Sequence, residues 1–241
     1  MAKEAPSVSS MDSAQSPETP STPAPEYKIV AIDPDGDLSL QVSKNDASMV
    51  WSFRVCSAAL RRRSRVWKQM LFGPWKERKP ANSDEEWIVE LFDDCPKAMQ
   101  LILHIIHGNF DEVPTVLHSL QQFHDLLVVA KKYDIINVIK PWCKDWSSIA
   151  RAMVQNAENI VMSFHVAWEL GDESLFLRRL QDIVVHSATD ENDCLILRKE
   201  HGSFFGQKRT TTEVALEDVE HLGPQNILRK LCLHQPIPNH I

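Results

Sequence analysis

Two histidines, His104 and His107, are the nearest approach of this sequence to a metal-binding pair. They stand three residues apart, and on a helix that spacing places both side chains on one face. No glutamate follows His104 as in the zinc motif H-E-x-x-H, and no third ligand is evident. Cys232 and His234 are similarly isolated. Because a zinc site needs three or four converging ligands, we expect no metal and histidines that are packed or solvent-facing.

Catalytic and cofactor-binding signatures are also missing. Among the seven glycines, no two are separated by a single residue and none precedes a Lys-Ser or Lys-Thr pair. The glycine-rich loops that bind dinucleotides and nucleoside triphosphates are therefore absent. No serine lies in a G-x-S-x-G turn, and no cysteine and histidine share a recognisable catalytic context. We therefore expect no catalytic residues and no cofactor.

A basic cluster follows the first predicted strands. Its functional interpretations are a nuclear-import signal, a contact for acidic partners, or a kinase site at Ser64. The structural interpretation is a solvated face between two helices, with Ser64 buried as a helix cap. The acidic remainder of the chain favours that solvated face. The cluster consists of Arg61, Arg62, Arg63, Arg65 and Lys68.

Charge and hydropathy restrict the partners. The net charge of −7 argues against direct nucleic-acid binding, which needs a dominant basic surface. The longest apolar run, from Leu126 to Ala130, is far too short to span a bilayer. The N-terminus lacks the apolar core of a secretory signal, so we expect a cytoplasmic or nuclear protein. The five cysteines form no C-x-x-C pair and are expected to be reduced and packed.

Alternation of apolar and polar residues predicts the sheet. The segment 38–42 and the segment 51–55 each alternate with a period of two, and turn-forming residues separate them. Together they predict a β-hairpin with one apolar face. Trp87, Val89 and Leu91 predict a third strand. Asp35-Gly36 marks the turn before the hairpin.

Helical periodicity dominates the rest of the chain. We expect a helix from Ser64 to Phe72, one from Asp94 to Gly108, and a central helix from about Val116 to Ala130. A further helix begins at Asp134 and is expected to be interrupted at Pro141. Because strands come first and helices afterwards, the fold class is α+β.

Two stripes beyond residue 147 predict an antiparallel helix pair. The first contains Ile160, Phe164, Ala167 and Trp168, and the second begins at Asp172 beyond the Gly171 stop. Further short helices are expected between 213 and 233. At the other end, residues 1–26 are rich in Ser, Thr and Pro and predict a disordered tail.

Several segments, in order and at suitable spacing, resemble a BTB/POZ domain of the type common in filamentous fungi. The resemblance covers roughly residues 33–146. It implies a small β-sheet capped by a cluster of α-helices over residues 27–146, and the helical periodicity described above predicts an all-α extension over 147–241. The segments that carry the resemblance are Asp35-Gly36-Asp37-Leu38-Ser39-Leu40, Phe53-Arg54-Val55-Cys56-Ser57-Ala58-Ala59-Leu60, Ser64-Arg65-Val66-Trp67-Lys68-Gln69-Met70-Leu71, Val89-Glu90-Leu91-Phe92-Asp93-Asp94, Ile105-Ile106-His107-Gly108 and Ala130-Lys131-Lys132-Tyr133-Asp134.

The resemblance implies a non-catalytic module that binds other proteins and forms homodimers or heterodimers. Many such domains recruit a cullin-type ubiquitin-ligase scaffold through a hydrophobic-x-Glu motif just after the Met-Leu helix. Trp75, Lys76 and Glu77 stand at that place. The structural interpretation is that Trp75 covers the domain edge and Glu77 is a solvated charge. The alternative function is a nuclear transcription or chromatin scaffold that uses the basic cluster.

The short apolar run Ile29, Val30, Ala31 and Ile32 resembles an N-terminal strand that some of these dimers exchange. The alternative is an edge strand paired within its own chain, which is the commoner arrangement for sequential strands.

The charged pocket of the family's transcriptional repressors is expected to be incomplete. Asp37 could supply the acid, but Cys56-Ser57-Ala58 supplies no base.

Overall fold

The computed structural model describes residues 26–44, 49–82, 85–152, 154, 156–191, 195–201 and 210–216. The predicted disordered tail lies outside these residues, apart from Glu26, which begins the first strand. The described chain is an α+β protein, as the order of the sequence patterns predicted. Among the described residues, no helix combines the length and the apolar character needed to cross a membrane.

A mixed four-stranded sheet forms one side of the first core. Its spatial order is β1-β3-β2-β4; β1 runs parallel to β3, β2 runs antiparallel to β3, and β4 runs parallel to β2. The predicted alternation is confirmed, since Leu38, Leu40 and Val42 are buried while Ser39 and Gln41 are less so. The strands are β1 (Glu26–Ala31), β2 (Leu38–Val42), β3 (Met49–Val55) and β4 (Ile88–Leu91).

The turn before β2 depends on Gly36. A Cβ atom at this position would lie 2.6 Å from the carbonyl carbon of Val55, which is backbone and cannot move aside. The glycine N–H donates to the carbonyl of Asp33 at 3.0 Å, and its own carbonyl accepts from Arg54 Nε at 3.0 Å. The turn therefore packs directly against the end of β3.

Five helices cover the sheet and complete this core. They are α1 (Ser57–Arg63), α2 (Arg65–Phe72), α3 (Pro96–His107), α4 (Leu120–Lys132) and α5 (Ile136–Arg151). The predicted central helix is confirmed, because α4 packs against α3, α5 and the later helix α6 (Ala157–Leu170). Its buried residues include Phe123, Leu126 and Leu127.

Ser64 begins α2 as predicted. Its Oγ accepts from the N–H of Trp67 at 2.9 Å and donates to the carbonyl of Tyr133 at 2.6 Å. Asp94, by contrast, lies one residue before the Cys95 cap of α3. Its buried carboxylate accepts from Tyr133 Oη at 2.5 Å and from Lys132 Nζ at 2.8 Å. These bonds join α2, α3 and α4 at one buried point.

Two helix expectations are wrong. Val116 is 60% exposed and lies before α4, which begins at Leu120 after the Ser119 cap. Pro141 does not interrupt α5, which continues through it. The lost N–H of this proline costs one hydrogen bond near the helix start, and the buried residues Ile139 and Cys143 on either side hold the helix together.

The predicted helix pair is confirmed. Helix α6 and helix α7 (Glu173–His186) are joined by Gly171, which adopts a left-handed φ of 68°. Phe164 and Phe176 stack between them with ring centroids 4.7 Å apart. The expected domain boundary after Trp146 falls inside α5, and Val166 and Ala167 of α6 belong to the first core. The helix pair is thus continuous with the domain before it.

The expectation of an all-α extension is wrong. A second, antiparallel sheet is formed by β5 (Ser187–Thr189), β6 (Leu195–His201) and β7 (Thr210–Ala215). It covers α6 and α7 and builds a second core that includes Ile160, Phe164 and Leu197. The start of the predicted 213–233 helices is therefore strand, and residues 217–241 lie outside the described chain.

Candidate functional site

The loop after α2 has a fixed backbone. The N–H of Lys79 donates to the carbonyl of Leu71 at 2.9 Å, and the N–H of Arg78 donates to the carbonyl of Trp75 at 3.2 Å. Trp87 Nε1 donates to the carbonyl of Glu77 at 3.0 Å, which ties the loop to the segment that enters β4. The main chain of the loop is therefore hydrogen-bonded to its surroundings at three points.

The structure brings together the three predicted residues Trp75, Lys76 and Glu77 on this loop. Trp75 is 59% exposed, whereas the side chain of Glu77 is 22% exposed and that of Lys76 is 91% exposed. Lys76 Nζ lies 3.7 Å from the Glu77 carboxylate. A large apolar ring therefore faces solvent beside a carboxylate that is partly sheltered.

The predicted basic cluster is a solvent-facing surface. Arg61, Arg62, Arg63, Arg65 and Lys68 are all exposed. The guanidinium carbon of Arg61 lies 4.8 Å above the ring centroid of Phe72. Ser64 is buried among them as the cap of α2, so the kinase-site interpretation is wrong for this fold.

The apolar N-terminal run forms an edge strand within its own chain. Ile29, Val30 and Ala31 belong to β1, which pairs in parallel with β3, and Ile32 just beyond it is buried. Ile29 is 79% exposed. On the opposite face, Lys28 Nζ lies 3.6 Å from the ring centroid of Trp51. Among the described residues no strand pairs with the outer edge of β1, and Ile29 adds an exposed apolar side chain on this strand.

Sequence reasoning missed the base beside Asp37. Lys79 reaches from the loop after α2 and donates to Asp37 Oδ2 at 2.9 Å. Ser57 donates to the same carboxylate from its N–H at 2.8 Å and from its Oγ at 2.9 Å. Since Cys56 provides no side-chain cap for α1, Asp37 performs that role across the fold. Burial opposes its ionisation, but the bonds from Lys79 and Ser57 hold its pKa below the usual value.

Replacing Asp37 by asparagine is expected to lower the free energy of unfolding by about 0.5–1 kcal/mol at neutral pH. The depressed pKa means that the carboxylate stabilises the fold above the unfolded-state pKa, roughly 4, and loses this effect as the pH falls further. Urea denaturation at pH 7 and at pH 3 checks this, with the exposed neighbour variant Asp35→Asn as control. If wild type and Asp37→Asn differ in unfolding free energy as much at pH 3 as at pH 7, the stabilising role of the Asp37 carboxylate is contradicted.

The histidine pair serves the fold. Cys56 N–H donates to His107 Nε2 at 3.0 Å, so His107 Nδ1 carries the proton and donates to the Leu103 carbonyl at 2.8 Å. Burial lowers the pKa of His104. Burial also raises the pKa of Cys143 to about 11, which keeps the thiol protonated. Within the described residues, no three His, Cys, Asp or Glu side chains are grouped to hold a metal. Cys232 and His234 lie outside those residues.

Comparison with known proteins adds no family: the chain matches no protein-family model and no curated protein.

Proposed function

We propose that this protein is a non-catalytic interaction module with a BTB/POZ fold that serves as a dimeric adaptor for a cullin-type ubiquitin ligase. Its support is the set of segments that resemble that family, together with the elements on which they lie. The hairpin segments occupy β2 and β3, the Ser64 segment forms α2, and the segment ending in Gly108 closes α3. These elements share one core.

The single observation that carries the cullin proposal is the exposure of Trp75 on a loop with a fixed backbone. Leaving a tryptophan ring in water forgoes the favourable free energy of burial. A rigid aromatic anchor beside a carboxylate is the usual composition of an interface hot spot, because little side-chain entropy is lost on docking. Glu77, which is partly sheltered, is placed to bond to a donor at the edge of the partner surface.

The proposed dimer uses the β1 edge. An edge strand presents unpaired N–H and C=O groups that a second chain can pair with. The exposed Ile29 side chain on this strand provides apolar area for the same contact. The partner is a second copy or another domain of the same fold.

The substrate-reading role falls to the C-terminal unit of α6, α7 and the second sheet. Leu177, Val184 and Val185 are exposed on α7. Single exposed apolar residues are ordinary, but three on one helix offer a docking surface for a protein to be ubiquitinated.

A pull-down with a purified cullin N-terminal domain tests the proposal. We expect wild type to be retained and the Trp75→Ala/Glu77→Ala variant to lose about 2 kcal/mol or more of binding free energy, the size of a hot-spot loss. The matched control is Trp168→Ala, which removes another exposed tryptophan (42%) far along the chain. Equal retention of wild type and the double variant would end the ligase proposal.

A further inference from the structure

The basic cluster has no counter-charge within the described part of the chain. None of Arg61, Arg62, Arg63, Arg65 and Lys68 lies within 4.0 Å of a carboxylate there. Some other cations are paired, as in Lys79–Asp37, Lys132–Asp94 and Arg151–Asp172. In a chain with a net charge of −7, five cations within residues 61–68 are a local concentration of positive charge. Its mutual repulsion is a cost that a bound anionic partner would remove.

Helix electrostatics account for only part of this cluster. The three arginines Arg61, Arg62 and Arg63 form the last turn of α1, where the helix dipole favours cations. Arg65 instead occupies the first turn of α2, where the dipole favours carboxylates, and that turn contains no acid. Arg65 and Lys68 therefore need another explanation.

An aromatic side chain continues the line of charges. Arg65, Lys68 and Phe72 are separated by three and four residues, so they share one exposed face of α2. Phe72 is 38% exposed, and Arg61 lies above its ring. We call Arg61, Arg65, Lys68 and Phe72 the cationic strip.

We propose that the cationic strip binds an acidic polypeptide segment that carries an apolar side chain. Carboxylates of the segment pair with Arg61, Arg65 and Lys68, and the apolar side chain packs on the exposed part of Phe72. Charge complementarity supplies the specificity, since within the described part of the chain Arg65 and Lys68 have no carboxylate partner, and Phe72 adds one apolar point at the end of the strip. This goes beyond the adaptor proposal and does not depend on cullin binding.

The surroundings of Phe72 favour a polypeptide over a nucleic acid. One face of its ring is covered by Arg61, and its ring meets Trp87 edge-on with centroids 5.9 Å apart. A base stacks on an open aromatic face, and Arg61 already covers one face of this ring. The acidic remainder of the chain also repels a long phosphate backbone.

Fluorescence anisotropy of the full chain tests the proposal with three labelled probes. The first is a short peptide of repeated Glu-Glu-Leu-Ser, the second is the same peptide with glutamine for glutamate, and the third is a short DNA duplex. We expect the acidic peptide to bind, with an affinity that falls as salt is added. Equal binding of the glutamine peptide, or tighter binding of the duplex, would overturn the proposal.

Charge reversal locates the binding surface. The variant Arg61→Glu/Arg65→Glu/Lys68→Glu is expected to weaken binding of the acidic peptide at least roughly tenfold. The matched control Lys97→Glu/Lys140→Glu/Lys144→Glu makes the same change of charge at exposed lysines of α3 and α5 and is expected to bind like wild type within about twofold. Far-UV circular dichroism verifies that both variants are folded. Equal weakening by the two variants would show a response to net charge alone and would overturn the assignment.

Discussion

Replacing Trp146 by alanine is expected to lower the free energy of unfolding by about 4 kcal/mol. The side chain is fully buried in α5, and its Nε1 donates to the carbonyl of Pro114 at 3.0 Å. Its ring meets Phe123 edge-on at 6.2 Å and stacks with Trp142 at 6.1 Å between centroids. The variant removes this apolar contact, leaves a cavity between α4 and α5, and leaves the Pro114 carbonyl without its donor.

The matched control for Trp146→Ala is the same substitution at Trp142, whose ring stacks on that of Trp146. Trp142 is only partly buried and contacts Phe110 at the surface, so Trp142→Ala is expected to cost about half as much or less. Urea denaturation followed by far-UV circular dichroism measures both. Similar losses for the two variants would contradict the buried position of Trp146.

Replacing Arg179 by alanine is expected to lower the free energy of unfolding by about 3 kcal/mol. This arginine of α7 is 5% exposed. Its Nη2 atom donates to the carbonyls of Ala150 and Ala152 at 3.3 and 3.2 Å, at the end of α5. Its Nε donates to Ser163 Oγ of α6 at 2.9 Å. One side chain thus satisfies the carbonyls at the end of α5 and joins three helices.

The adjacent residue provides the control for Arg179. Arg178 is exposed on the same helix, so Arg178→Ala is expected to change stability by no more than about 0.5 kcal/mol. Thermal and urea unfolding of both variants measure the difference. If Arg178→Ala and Arg179→Ala lower the free energy of unfolding equally, Arg179 does not join the C-terminal unit to the first core.

The sequence patterns that predicted correctly are those in which burial follows a simple period. The strand residues Leu38, Leu40 and Val42 alternate because one face of the sheet is buried. The nearly all-apolar run in α4 correctly predicted a helix buried on several sides. Ser64 could be identified as a cap because serine is a preferred residue at helix N-termini. In the structure its hydroxyl accepts from the N–H of Trp67 in the first turn of α2.

Strand β6 of the second sheet escaped prediction because two adjacent residues break the alternation expected of a strand. Ile196 and Leu197 are adjacent in β6, yet both are buried, so no alternation appears. Pro141 was expected to interrupt α5, but the buried residues Ile139 and Cys143 on either side hold the helix together despite the loss of one hydrogen bond. Rules based on local sequence, such as strand alternation and helix breaking by proline, fail where tertiary contacts determine the secondary structure.

The partners of site residues were equally hard to predict. Lys79 and Asp37 are 42 positions apart, and nothing in their local sequence pairs them. The position of Trp75 followed only from the resemblance, and its exposure could not be predicted, since Trp67 and Trp146 are fully buried. Which tryptophans are exposed is information that only the fold provides.

The most direct test of the adaptor proposal is sedimentation velocity of the full chain, alone and mixed with a purified cullin N-terminal domain. We expect a dimer alone and a faster-sedimenting complex with one cullin domain for each protomer. We expect the Trp75→Ala/Glu77→Ala variant to dimerise without forming this complex. A chain that sediments as a monomer, and whose boundary does not shift when the cullin domain is added, would contradict the account.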